Sequence, residues 1–226
     1  MRRDTWLAMR AEPKGAEKMK TVYVYLQEGL ADWEAGYAVA ELNSGRFFKP
    51  TAERLQVKTC AFSRDSIATM GGLRLLPDLT VNEICLSDAA MLILPGGDGW
   101  LQLQHEMILE RAAAFLSADI PVAAICAATV ALGRVGLLNH HRHTSVDLEF
   151  LRMVGGEGYN GSALYEQQPT VLDDNLITAA GTAPLEFACR IFERLDVFSP
   201  ATLDAWYLLH KEKRAEYYDA LLKSMA

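Results

Sequence analysis

Cysteine and histidine are scarce in this chain of 226 residues, which has four of the first and five of the second. Cys60, Cys85, Cys126 and Cys189 form no Cys-x-x-Cys pair and have no histidine at zinc-ligand spacing. That pattern excludes a zinc finger or ribbon and a thioredoxin-type redox motif, and no metal is expected. Four isolated cysteines in a chain of this size do not make a disulfide framework either. A long hydrophobic run is also missing. The longest apolar stretch, Ile120 to Gly133, is interrupted by Pro121 and Thr129 and falls short of the roughly 20 residues that cross a bilayer. The first 20 residues carry positive charge but only Trp6-Leu7-Ala8-Met9 as an apolar run. No signal-peptide core can be built from it, and a cytoplasmic location is expected. Positive charge is in deficit: 22 Lys and Arg stand against 29 Asp and Glu, for a net charge of −7. This excludes a general nucleic-acid-binding surface.

Half the residues are hydrophobic and 23% are charged, enough to build a core and too apolar for wholesale disorder. Residues 1–20 are polar and broken by Pro13 and Gly15, so a loose extension is expected there, with Met19 a candidate alternative start. One domain is expected over 21–226. Thr21 to Leu26 reads as a strand, and Asp32 stands where an N-cap would, ahead of a helix from Trp33 to Leu42. Leu55 to Phe62 is a second strand. Ile67–Met70 and Leu73–Leu76 flank Gly71-Gly72 as a hairpin. Asp88 to Leu94 and Pro121 to Ile125 are continuous apolar runs of the kind found in central parallel strands. Ile108, Ala112, Phe115 and Leu116 mark a helix between them, and Ala127 to Leu138 a helix after them. A second hairpin surrounds Asp173-Asp174-Asn175. Helical faces follow at Ala188, Ile191, Phe192 and Leu195, then at Leu203, Trp206, Tyr207 and His210. Alternating strands and helices predict an α/β protein, a mostly parallel sheet covered on both faces.

The most informative segment is Ile120 to Gly133. A buried strand ends at Cys126 and small residues lead straight into a helix. This is the layout of a nucleophile elbow, with the side chain presented at the carboxyl edge of the sheet. The positive end of the following helix would favour a thiolate there. The same segment also fits an inert core cysteine. Pro95-Gly96-Gly97 ends the neighbouring strand, and its glycines allow backbone N–H groups to approach a ligand as an oxyanion hole requires. A plain Gly-rich turn would look the same. Glu34 stands early in the helix after the first strand, where an interaction with the helix dipole is explanation enough.

Taken together, Glu28 to Glu34, Asp88 to Gly97, Ala124 to Ala128, His143-Thr144-Ser145 and Asn175 to Ala188 resemble the ThiJ/PfpI superfamily, with its class I glutamine amidotransferase-like fold. The likeness runs from about Thr21 to Leu195. It implies a flavodoxin-like three-layer sandwich, a homodimer, and a reactive cysteine that falls on Cys126. It places the acidic partner of that cysteine on Glu34, the oxyanion N–H groups on Gly97 and Ala127, and a nearby histidine on His143 as the base. Two departures narrow the chemistry. Members that resemble intracellular proteases carry histidine directly after the nucleophile, where this chain has Ala127. Glutamine amidotransferases use a late His-x-Glu pair, where this chain has Thr182-Ala183-Pro184-Leu185-Glu186. Three readings follow: a cofactor-free enzyme acting on a small carbonyl or acyl electrophile, an oxidation sensor without turnover, or a ligand-binding module. Asp98-Gly99-Trp100 and residues 155–163 are expected to wall the pocket.

Overall fold

A computed structural model describes residues 19–225. The expected loose extension therefore lies outside the described residues, apart from its last two; Lys20 already belongs to the first strand. The strands β1 (Lys20–Tyr25), β2 (Leu55–Ala61), β5 (Leu79–Thr80), β6 (Ala89–Leu94), β7 (Val122–Ile125), β8 (Thr170–Asp173) and β9 (Leu176–Ala179) form one seven-stranded sheet in the order β5-β2-β1-β6-β7-β9-β8. All neighbours pair in parallel except the hairpin β8–β9. A separate hairpin pairs β3 (Ile67–Ala68) with β4 (Arg74–Leu75).

Strand periodicity divides the core. Along β1, Val22 and Val24 point to one side, where they pack with Met91, Ile93, Ala123 and Ile125. Helices α1 (Gly36–Ser44), α5 (Pro184–Arg194) and α6 (Pro200–Glu212) cover that side. Tyr23 and Tyr25 point to the other, against α2 (Glu106–Ser117) and α3 (Ala127–Arg134). Both faces are buried, as the unbroken apolar runs of β6 and β7 require. The result is a three-layer, flavodoxin-like α/β sandwich. Among the described residues, no helix is long and apolar enough to cross a membrane.

Several boundaries differ from the sequence expectation, each for a local reason. Asp32 caps no helix: its carboxylate accepts the Gly71 N–H at 2.6 Å, and α1 starts only at Gly36, behind Ala35. Glu34 therefore lies in the turn before α1, so the helix dipole does not explain it. The helix after Cys126 stops at Arg134, and Gly136 turns the chain with a φ of 80°. The last helical stretch is two helices, because Lys213 adopts a φ of 57° between α6 and α7 (Ala215–Ser224). A helix α4 (Leu148–Gly155) and the edge strand β5 were not expected.

Candidate active site

The chain order reverses beside β1, with β2 on one flank and β6 on the other. Crevices at such a switch point, beyond the carboxyl ends of the strands, are where open α/β sheets bind ligands. Four segments meet there: residues 27–34 after β1, 95–99 after β6, 126–130 at the β7–α3 junction, and 180–184 after β9.

Cys126 is the pivot of the β7–α3 junction. Its backbone has φ 60° and ψ −130°, a region that side-chain-bearing residues rarely occupy. Bonds on both sides hold it. Its N–H donates to Ala179 O at 3.0 Å, extending the β7–β9 ladder. Its carbonyl accepts the Thr129 N–H at 3.0 Å and the Thr129 hydroxyl at 2.6 Å. Thr129 Oγ1 also lies 2.7 Å from Ser145 Oγ. The elbow read from the sequence is thus a strained cysteine fixed between a ladder and a helix.

Glu34 is brought to the same place. Its side chain is buried, and Oε2 accepts the Gly96 N–H at 2.5 Å. Oε1 is buried with no oxygen or nitrogen partner and shares its surroundings with the Cys126 sulfur. The room for this pair comes from two glycines. A Cβ on Gly96 would fall 2.6 Å from Glu34 Oε2 and 2.8 Å from Cys126 Cβ. A Cβ on Gly181 would fall 2.7 Å from Cys126 Sγ and 3.4 Å from Glu34 Oε1.

Burial raises the pKa of Glu34, against hydrogen bonds from Gly96 and Cys126 that lower it. The Cys126 thiol is pushed up to about 12 by burial, by the charge of Glu34 and by its hydrogen bond to that carboxylate. Only the Ala127 N–H, at the start of α3, pulls it down. The expected drop in the thiol pKa is therefore not what this site gives: desolvation and a facing carboxylate outweigh the helix terminus. Each group's charge raises the cost of ionising the other, so their titrations are coupled.

The remaining expected residues fall differently. Ala127 turns its N–H to the sulfur rather than to a separate oxyanion position. Gly97 lies in a bridge with Leu30, beside the Ala31 N–H donating to Gly96 O at 3.1 Å. It must be glycine, since a Cβ would meet Gly29 O at 2.9 Å and the Gln27 amide at 3.1 Å. Gly96, passed over in favour of Gly97 in the sequence reading, is the residue whose N–H fixes the acid. His143 is not brought to the sulfur as a hydrogen-bond partner. The ring is fully buried, with Nδ1 2.7 Å from His141 O and Nε2 2.7 Å from the Tyr159 hydroxyl. Both ring nitrogens have partners within the fold, and neither is hydrogen-bonded to Cys126.

Trp100 belongs to the core and not to a pocket wall. It is 1% exposed, packs against Tyr25 and His105, and donates from Nε1 to Pro95 O at 2.9 Å. Residues 155–163 pack at the far end of α3, where a Cβ on Gly158 would run into Arg134 O. An aromatic that does stand at the site is Trp33. Its indole N–H donates to Gly181 O at 3.4 Å while 52% of the residue stays exposed.

The other cysteines are elsewhere. Burial pushes Cys60 and Cys189 up to about 12, and Cys85 is exposed next to Ser87. His141, Asp173 and Asp174 offer ligand atoms within 4.8 Å of one another. Arg142 already supplies a cation there, donating from Nε to Asp173 at 3.0 Å.

A profile of the DJ-1/PfpI family matches residues 20–194, which include all four segments of the site. The chain belongs to the DJ-1/PfpI family. It is 43% identical over 206 residues to a Bacillus subtilis protein named uncharacterized protease YoaZ, covering 91% of this chain and 98% of that one. A thiJ/pfpI family protein from Bacillus anthracis has the same fold at a TM-score of 0.88, with 44% identity over 92% of this chain and 98% of that one. A DJ-1 superfamily protein from Agrobacterium tumefaciens superposes at 0.76, with 29% identity over 87% of this chain and 100% of its own.

Proposed function

We propose that this DJ-1/PfpI protein uses Cys126 as a nucleophile on a small carbonyl or acyl electrophile, with Glu34 as its proton partner. The observation that carries this reading is the placement of Glu34 Oε1, buried, otherwise unpartnered and facing the same space as the Cys126 sulfur. A buried carboxyl beside a thiol passes one proton between them. With the proton on Glu34, the sulfur is a thiolate that accepts from Glu34 and from the Ala127 N–H. Attack on a carbonyl carbon forms the C–S bond, and the π electrons move to oxygen. The Glu34 proton then neutralises that oxygen, and the Gly97 N–H is the nearby donor for it. An aldehyde gives a hemithioacetal at this point. An acyl compound expels its leaving group, and water then releases the acid and returns the proton. The name of the B. subtilis relative is in keeping with a hydrolytic outcome, although the residue after the nucleophile here is Ala127.

The test is incubation of the native protein and its Cys126→Ser variant with small aldehydes, α-oxoaldehydes and activated esters. Substrate consumption and the mass of the Cys126 peptide would be followed together. Turnover or an adduct at Cys126 that disappears in the variant is expected. Reaction unchanged in Cys126→Ser, or confined to another cysteine, would overturn the assignment.

A second reading, oxidation sensing, is favoured by the same pair. A sulfinate at Cys126 would accept hydrogen bonds from the Glu34 carboxyl and the Ala127 N–H. Mild peroxide would then add two oxygens selectively to the Cys126 peptide, with no electrophile turned over.

A further inference from the structure

The four segments that converge on Cys126 are uneven in charge. Residues 27–34, 95–99, 126–130 and 180–184 contain Glu28, Asp32, Glu34 and Asp98 and no lysine, arginine or histidine. Glu34 and Asp98 are the two whose charge acts at the sulfur, and Glu28 and Asp32 lie on the loop that carries Glu34. Gly29 and Asp98 flank the Leu30–Gly97 bridge, one on each strand. Asp98 is exposed and two residues from Gly96, which packs on Cys126 Cβ. Its charge is felt at the sulfur, where it raises the thiol pKa. Glu28 accepts the Ala68 N–H and Asp32 the Gly71 N–H, so both anions are fixed at the base of the β3–β4 hairpin. Across residues 67–75 that hairpin brings one cation, Arg74, on the strand opposite Ala68. Trp33 adds a half-exposed indole pinned to the carbonyl of Gly181, the residue that touches the sulfur. An aromatic face and a carboxylate at one opening are the pair of groups that recognise an organic cation.

We propose that the mouth of the Cys126 site selects cationic electrophiles over anionic ones, so that its substrate is a small carbonyl or acyl compound carrying an ammonium or guanidinium group. This rests on Cys126 being the nucleophile and adds the charge class that reaches it. Oxo acids and phosphorylated carbonyls would meet the like charge of Asp98 at the opening, with no cation on the four segments that form it. Compounds bearing an amine would be drawn in by Asp98 and held against Trp33.

Three methanethiosulfonate reagents test this: a neutral butyl reagent, a trimethylammonium-ethyl reagent and a sulfonato-ethyl reagent. In each, the Cys126 thiolate attacks the sulfenyl sulfur, forms a disulfide and expels methanesulfinate. Rates would be read on the Cys126 peptide in a Cys85→Ser background and divided by those of a small free thiol. At low ionic strength the corrected cation-to-anion ratio should reach about tenfold or more. It should shrink towards unity at high salt and fall by roughly threefold in Asp98→Asn. Trp33→Leu should slow the cationic reagent relative to the neutral one. A corrected ratio at or below one, or one that Asp98→Asn leaves unchanged, overturns the proposal while leaving the nucleophile in place. Failure of even the neutral reagent to modify Cys126 in the native protein would instead remove the nucleophile, and the charge selection with it.

Discussion

Gly181 and Cys126 are in contact so close that the smallest side chain at 181 would sit 2.7 Å from the sulfur. The glycine comes from the loop after β9 and the cysteine from the end of β7, two strands paired in register along their length. Room for the Cys126 sulfur is therefore made by the absence of a methyl group on a neighbouring strand's loop.

That contact gives a direct expectation. Gly181→Ala should slow alkylation of Cys126 by native-state iodoacetamide by more than about tenfold, since the sulfur must leave its place. Gly96→Ala should do the same and also destabilise by about 1–3 kcal/mol, because its new methyl meets both Glu34 and Cys126. Gly36→Ala is the control: nothing lies within 4 Å of a Cβ there and its φ is not positive, so reactivity and melting temperature should hold.

The shared proton predicts the shape of a pH profile. In the wild type, Cys126 alkylation should persist with little pH dependence through neutrality and rise again only towards about 12, where the pair gives up its last proton. Glu34→Gln removes two of the causes that raise the thiol. It should replace the plateau by a single titration with a midpoint below about 12, the thiolate fraction growing steadily as pH rises. Peptide-resolved alkylation across pH measures both. Identical profiles in the two proteins would show that Glu34 does not share the Cys126 proton.

Stability should fall on the acid side. Burial holds His105 and His143 below the ordinary histidine value of 6.5. Below that pH the unfolded chain takes up protons that the native rings refuse, so stability drops as pH falls through and below about 6.5. Glu34, whose pKa is raised, acts in the opposite sense: its contribution is fully present below 4.5 and is lost as pH rises. Melting temperatures from pH 7.5 to 5 in the Glu34→Gln background isolate the histidines. His105→Asn should flatten the slope, although it also removes the 2.7 Å contact between His105 and the Tyr25 hydroxyl.

Thr129 should behave as the brace of the elbow. Thr129→Val keeps the shape but removes the hydroxyl that bonds the Cys126 carbonyl and leaves Ser145 without that partner. A loss of about 1–3 kcal/mol is expected, together with slower Cys126 alkylation. Thr129→Ser should restore both. Chemical denaturation and peptide-resolved kinetics measure the two effects.

The sheet was legible in the sequence because its strands are buried on both faces and therefore read as unbroken apolar runs, Ala89–Leu94 and Val122–Ile125 above all. Cys126 stood out because strand, cysteine and small residues follow one another without a gap. What could not be read is what depends on partners distant in sequence. Asp32 looks like a helix cap until Gly71, 39 residues away, claims its carboxylate. Nothing in the sequence near His143 shows that its ring nitrogens meet His141 O and the Tyr159 hydroxyl. Gly181 gives no sign in Ala180-Gly181-Thr182 that it faces a sulfur. Trp33 stands in the Glu28–Glu34 segment, but its exposure emerges only from the turn that places Glu34 inside and Trp33 outside. Edge strand β5, two residues long, is too short to carry any period.

The elbow also determines where this protein is free to change. Cys126 closes a strand ladder through its N–H and opens a helix through its carbonyl, so no substitution can move the sulfur without loosening both. The rim has no such double duty: Asp98 is exposed, and Trp33 makes one bond through its indole. Relatives that handle different compounds should therefore keep the anchor and differ at the rim, and a designer seeking a new substrate would do well to leave Cys126, Thr129 and the two glycines alone and vary residues 33 and 98.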